Sequence, residues 1–401
     1  MEKKKVEPPK YILIQSEYTL AYTDEECLVN DKPFKKEGET TPPKELCFEI
    51  QQSFFYETFL KRHFKNVVVL TAAGTSLDNG TKETNGKTRE GLWTLCQEEI
   101  DAFEDSIKEI KTKEFYTNKD IEGLLSHIIL FEKLNGVIKK GETVLRETLE
   151  AKIAEACKLK LQPQAPHKDF LNKITARKPS DPRVQLFTTN YDLLFESAAN
   201  QGGFVVIDGF SFTQPRKFSG RYFDLDIVNR EKTRIKQEES FVSKVFHFYK
   251  LHGSLNWCKD DSKSIVQQDS PKKPLIIYPA SEKYESSYEQ PYFEMMSRFQ
   301  QALRKENTLL VVIGFGFQDK HIQNAIIEAV EQNPSFQLII VSYTGNDNDG
   351  IDTTSLKQFF SEEASKKVKR NVNIVYDSFS GFTKKYPSNY TYIEPNKESS
   401  Q

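Results

Sequence analysis

Two kinds of apolar pattern divide this chain. Short continuous runs at 67–70 (VVVL), 184–188 and 309–313 are rich in β-branched residues and end in small or polar turns. Such runs predict strands covered on both faces, the habit of parallel sheets. Further strand-like stretches fall at 11–14, 204–207, 245–251 (VFHFYKL), 275–278, 337–342 and 372–376. Helical spacing lies between them, at 50–63 (Phe54, Phe55, Phe59 and Leu60 on one face), 193–199, 288–303, 322–330 and 356–363. Repeated alternation of the two periods predicts an α/β fold, a Rossmann-like doubly wound parallel sheet with helices on both sides.

One stretch breaks the alternation. From about 87 to 173 the period is helical throughout, with faces formed by Trp93, Cys96, Ile100 and Phe103, by Ile121, Leu124, Leu125 and Ile128, and by Leu145, Leu149, Ile153 and Cys157. This predicts a helical module inserted after the first buried strand, about 87–180, closed by Pro163, Pro166, Pro179 and Pro182. The expected organisation is an N-terminal extension (1–50), one α/β domain (51–385) carrying that insertion, and a disordered tail (386–401). Residues 211–244 are polar and read as a long excursion. No repeat of 20–50 residues is visible.

Composition narrows the partners. The chain has 401 residues, a formal net charge of -2 and 28% charged residues, so charge alone gives no reason to expect nucleic-acid binding. No apolar stretch approaches a membrane span, and the charged start MEKKK leads to Pro8 and Pro9 without a signal-peptide core. A cytoplasmic protein is expected. The five cysteines, Cys27, Cys47, Cys96, Cys157 and Cys258, are scattered without CxxC spacing. A disulfide framework and a cysteine zinc site are therefore not expected, and the thiols are read as reduced.

Open parallel sheets bind ligands beyond the carboxyl ends of their strands. Four polar stretches directly follow apolar runs. The first, Ala73-Gly74-Thr75-Ser76, is small enough for backbone N–H groups to approach a phosphate; its plain reading is a βα turn capped by Ser76 or Asp78. The second, Thr188-Thr189-Asn190-Tyr191-Asp192, sets consecutive hydrogen-bonding side chains at a strand end, or else caps a helix. In the third, LHGSLNW, His252 can carry a proton near neutral pH and Gly253 allows a sharp turn beside it. The fourth, Gly314-Phe315-Gly316-Phe317-Gln318-Asp319, is a partial GxGxxG, or else a tight turn capped by Asp319. His247, inside a strand pattern, reads as structural. Each stretch alone is a modest signal; their order is a stronger one.

That order resembles the sirtuin-like family, specifically the bacterial branch found in anti-phage defence, over roughly residues 50–380. AAGTS (Ala72–Ser76) is similar to its GAGxS loop, TTNYD to its TQNxD loop, His252-Gly253 to its catalytic HG, and GFGFQDKHI to its later glycine-rich strand end. The resemblance implies NAD as substrate. It implies that Asn190 contacts the nicotinamide ribose and positions water, that Asp192 holds the carboxamide, and that His252 is the general base. Gly74 and Ser76 would line the pyrophosphate, Gly314 and Gly316 the adenosine side, with Thr189, Gly253 and Asp319 also binding. Ala72 departs from the family's first glycine, and the helical insertion replaces the family's zinc module, which disfavours protein deacylation. The expected activity is NAD cleavage to nicotinamide and ADP-ribose, without a metal, to deplete NAD during phage infection. NAD-dependent deacylation and non-catalytic sensing of NAD or ADP-ribose are the alternatives. The resemblance also implies a homo-oligomer and a separate partner such as a HerA-type hexameric ATPase, or a short Argonaute.

Overall fold

The structure, a computed structural model, describes residues 8–36, 38, 40–103, 114–229, 241–276, 290–343, 356–361 and 367–389. Its centre is an eleven-stranded sheet, whose strands are numbered here in chain order: β1 Lys10–Ile14, β2 Thr19–Tyr22, β3 Cys27–Val29, β4 Lys32–Phe34, β5 Asn66–Thr71, β6 Gln185–Thr188, β7 Val205–Ile207, β8 Val245–Lys250, β9 Thr308–Ile313, β10 Gln337–Ser342 and β11 Val372–Tyr376. They lie in the order β4-β3-β2-β1-β11-β10-β9-β5-β6-β8-β7. All pairings from β11 to β7 are parallel. The fold is thus mixed α/β on a large, mostly parallel sheet.

The sequence of the central strands explains why they are central. Every residue of β5 (NVVVLT) and of β9 (TLLVVI) is buried. Their side chains alternate between two cores, as a period of two requires. Val68, Leu70, Leu310 and Val312 join one cluster, with the helices Tyr292–Leu303 and Lys320–Gln332. Val67, Val69, Leu309, Val311 and Ile313 join the other, with Phe55, Phe59, Phe170, Leu194 and Phe382 from helical segments on the opposite face. Burying each such side chain contributes about 1.5–3 kcal/mol. Neither face of these strands is left to water, so both windings are needed.

The first fifty residues continue the sheet. β1 pairs antiparallel with β11 (Leu13 opposite Val375) and leads into a meander through β2, β3 and β4. Only 11–14 among these strands is legible as an apolar run; the others are only three or four residues long. The expectation of five reduced thiols is corrected here. Cys27 on β3 and Cys47 on the helix Pro43–Gln51 form a disulfide, 20 residues apart. A pair brought together by a sheet edge and a helix leaves no spacing signature in the sequence. That helix continues as a π-helix, Gln52–Phe59. The helix expected at 356–363 is, among the described residues, a 3₁₀ turn at Lys357–Phe359.

The insertion follows β5. Helices Arg89–Ala102, Ile121–Asn135 and Leu145–Ala156 bury the three apolar faces read from the sequence into a third core of their own. His167–Thr175 instead places Phe170, Leu171 and Ile174 on the sheet's core. Two residues from outside the insertion, Tyr191 and Leu255, are buried in the third core, with Ile276 packed against it. No described helix is long and apolar enough to cross a membrane.

Candidate active site

One row of sheet register organises the site. Ile313 of β9 lies opposite Thr71 of β5, Thr71 opposite Thr188 of β6, and Thr188 opposite Lys250 of β8. The four stretches singled out in the sequence all leave the sheet just beyond this row. β5 is followed to one side by β6, while the chain returns on the other side at β9, so the row spans the topological switch point.

At the switch point two backbones touch. The N–H of Ala72 donates to the Ile313 carbonyl at 3.1 Å, and that of Gly74 to the Gly314 carbonyl at 3.1 Å. A Cβ on either glycine would strike the backbone of the other, and Gly314 has φ +67°. Glycine is required on both sides of this contact. Beyond it, Ala73–Ser76 forms a single helical turn, with Thr75 Oγ1 donating to the Ala72 carbonyl at 2.9 Å.

The β6 loop closes over that turn. The Asn190 amide Nδ2 donates to the Ala72 carbonyl (3.0 Å), Thr75 Oγ1 (3.2 Å) and Ser76 Oγ (2.8 Å). With its nitrogen so engaged, the amide oxygen is turned away from the turn. Ser76 Oγ donates to Asp192 Oδ2 at 2.5 Å, and Asp192 Oδ1 accepts the Leu194 N–H at 3.0 Å. Asn190 is half-buried; Ser76 and Asp192 are buried. Thr189 is tied through its backbone N–H to the Thr71 carbonyl. The ammonium of Lys250, 2% exposed, donates to the carbonyls of Tyr191 and Asp192 and to Glu196 Oε1 at 2.8 Å. It pins the β6 loop to the end of β8.

The β8 loop carries His252, whose ring Nε2 lies 3.1 Å from Asp319 Oδ2, the two side chains being 5% and 6% exposed. A carboxylate accepts, so the proton sits on Nε2 and Nδ1 keeps its lone pair. Asp319 is itself fixed as the N-cap of Lys320–Gln332, its Oδ1 accepting the N–H groups of His321 (2.9 Å) and Ile322 (3.2 Å). Burial pushes the His252 pKa down, but the bond to Asp319, its charge and that of Glu122 outweigh it and hold the value above the ordinary histidine range. Burial likewise opposes ionisation of Asp319, yet His252 and the two backbone N–H groups hold it below the ordinary carboxylate range. The linkage has two limbs: the raised histidine stabilises the fold below its ordinary pKa and that contribution is lost as pH rises through the raised value, while the depressed carboxylate stabilises above its ordinary value and is lost as pH falls. Gly253, φ +84°, runs against the Leu275 carbonyl with no room for a Cβ.

Nine of the ten expected site residues therefore sit in these tied-down loops, and Gly316 is exposed with open space around it. Asp319, expected among the cofactor-binding residues, is the partner of His252. Thr75, Lys250, Tyr191 and Glu122 were not among the expected residues. A lysine ending a buried strand was the available signal for Lys250. Glu122 had none, being 68 residues from Asn190 on an inserted helix. Tyr191 donates its hydroxyl to Glu122 Oε1 at 2.7 Å, and its ring centroid lies 6.5 Å from that of His252. Among the described residues no group of three or more His, Cys, Asp or Glu is disposed to hold a metal ion.

These observations define an α/β chain with a buried histidine–carboxylate pair beside an amide–hydroxyl–carboxylate network at its switch point. Part of the chain also matches known proteins. Residues 184–365, less than half of the chain, match the family model of a SIR2-like domain, a span that includes Asn190, Asp192, His252 and Asp319. The chain is similar to a solved structure of a SIR2 homologue in complex with NAD, at 17% identity, covering 72% of this chain and 82% of that one, with a TM-score of 0.35. It is similar to a Sir2 homologue variant in complex with ADP-ribose, also at 17% identity, covering 71% and 84%, with a TM-score of 0.34. No curated protein matches the sequence significantly.

Proposed function

We propose that this chain is an NAD glycohydrolase that releases nicotinamide and ADP-ribose. The observation that carries the proposal is the buried His252–Asp319 pair standing one strand away from the Asn190–Ser76–Asp192 network, both at the switch point. The SIR2-like match over 184–365 supports NAD as the substrate.

The chemistry fits such a site. The bond between ribose C1′ and the nicotinamide ring nitrogen breaks with its electron pair going to the ring, which leaves neutral. Positive charge grows on the sugar, and fixed dipoles that favour it lower the barrier. Asn190, locked by three acceptors, offers its amide oxygen to a water. That water's oxygen forms the new bond to C1′, and its proton passes to Nδ1 of His252, whose other nitrogen Asp319 steadies. Asp192 would receive the nicotinamide carboxamide, with Gly74, Ser76 and Thr189 beside the pyrophosphate, and Gly253, Gly314 and Gly316 along the remainder. The resemblance further supports a cytoplasmic role in depleting NAD during phage infection, within a homo-oligomer or with a HerA-type ATPase as partner.

The test is mass spectrometry of NAD incubated with the purified protein, alone, with an acyl-lysine peptide, and with the product of a neighbouring gene. Release of nicotinamide and ADP-ribose without peptide is expected, and Asn190→Ala and His252→Ala should each lower turnover at least a hundredfold. Intact NAD in every arm, or turnover only with peptide, would overturn the assignment.

A further inference from the structure

The insertion does more than cover the sheet, since one of its side chains hydrogen-bonds a loop of the site. Glu122 lies in the first turn of Ile121–Asn135, behind the N-cap Asp120, so helix start and register fix its direction. Its Oε1 accepts the Tyr191 hydroxyl at 2.7 Å. Tyr191 stands between Asn190 and Asp192, and its backbone carbonyl also accepts the Leu255 N–H at 3.1 Å, on the loop that carries His252. Both Tyr191 and Leu255 are buried in the insertion's own core, beside Leu124, Leu149 and Cys96. The two catalytic loops are thus held together at one tyrosine, and that tyrosine is held by the insertion.

We propose that Glu122 is a positioning residue, through which the inserted helices set Asn190 and Asp192 against His252. The proposal rests on the function assigned above and deepens it, because an agent that shifts the insertion would act on the site through this bond. Among the described residues, few charged or titratable groups surround His252. Asp319 faces it from the β9 loop and Glu122 from the insertion, and the charge of Glu122 helps to hold the His252 value up. Tyr191 packs near it from the β6 loop, and Tyr292 feels Asp319 from the helix behind. Asp192, Glu122 and Lys250 also act on Cys157, whose thiol burial pushes up to about 12.

Three variants separate bond from charge. Tyr191→Phe keeps the ring and the Glu122 charge but loses the bond. Glu122→Ala loses both bond and charge. Glu122→Gln keeps an acceptor and loses the charge. Turnover of NAD should fall about tenfold in kcat with KM nearly unchanged in Tyr191→Phe and Glu122→Ala. In Glu122→Gln, kcat should stay near parental while the His252 titration, followed by NMR of ring-labelled protein and assigned with His252→Asn, moves down by about half a pH unit. Parental kcat in both bond-breaking variants, or an unmoved His252 titration in Glu122→Gln, would overturn the proposal. If the parental protein cleaves no NAD, the functional assignment fails, and the NMR titration still decides whether Glu122 acts on His252.

Discussion

The two ends of the parallel strands are built on opposite plans. At the amino ends lies a cavity of about 670 Å³, lined in part by Tyr18, Phe54, Arg62, Arg370 and Asn371, and a second of about 560 Å³ beside Arg304 and Asn333. Their arginines are exposed, and the helix Lys320–Gln332 directs its C-terminal end towards them. At the carboxyl ends Thr75, Ser76, Thr188, Asp192, Lys250, His252 and Ser254 are buried, and the side chains of Ser76, Asp192, Lys250 and His252 are tied to neighbours. Burying polar groups is costly unless they are paired, so a dense, largely paired cluster of them signals a demand other than stability. These two cavities lie at one end and the immobilised polar side chains at the other. Immobilised polar side chains, rather than an open cavity, mark the place where chemistry is to be expected.

Three changes sharpen this contrast, in descending order of effect. Gly314→Ala should be the most damaging. A side chain there demands a left-handed backbone and meets the Gly74 backbone, so stability should fall by about 3 kcal/mol and activity should be lost with the geometry, as read by chemical unfolding and NAD turnover. Wild-type stability in this variant would mean that the two loops do not meet. Asp319→Asn should leave the fold nearly intact but free His252 from the carboxylate that raises it. Burial then prevails, and the acidic limb of the pH–rate profile should move to lower pH while the maximal rate drops about tenfold. A limb that stays in place would show that His252 is not the titrating base. The paired change Arg62→Ala with Arg370→Ala, at the amino-end cavity, should alter turnover less than twofold, since exposed charges there touch nothing in the site. A large loss would reverse the comparison.

The sheet's buried centre was legible because continuous β-branched runs have few alternatives: the residues read as 67–70, 309–313, 337–342 and 372–376 lie within β5, β9, β10 and β11. The insertion was legible from its three apolar faces. What escaped was whatever depends on residues distant in sequence meeting in space. The β2–β4 meander carries charge and turn formers, and its place is decided by pairing along β1. The Cys27–Cys47 pair depends on a helix packing against that meander. For the site, the four loops could be read as strand ends, and their shared row of register follows from parallel pairing. The partner of His252, the clamp by Lys250 and the reach of Glu122 could not be read, since each joins elements whose separation along the chain carries no period.

The central claim is that Asn190 and His252 act on one ribose. The most direct measurement is an experimental structure of His252→Ala, which should hold NAD without cleaving it, soaked or co-crystallised with NAD. The account predicts the nicotinamide ribose between Asn190 and position 252, with the pyrophosphate near the Gly74–Gly314 contact. A dinucleotide seated in the cavity at Arg62 and Arg370, or one whose nicotinamide ribose lies beyond reach of Asn190, would contradict it.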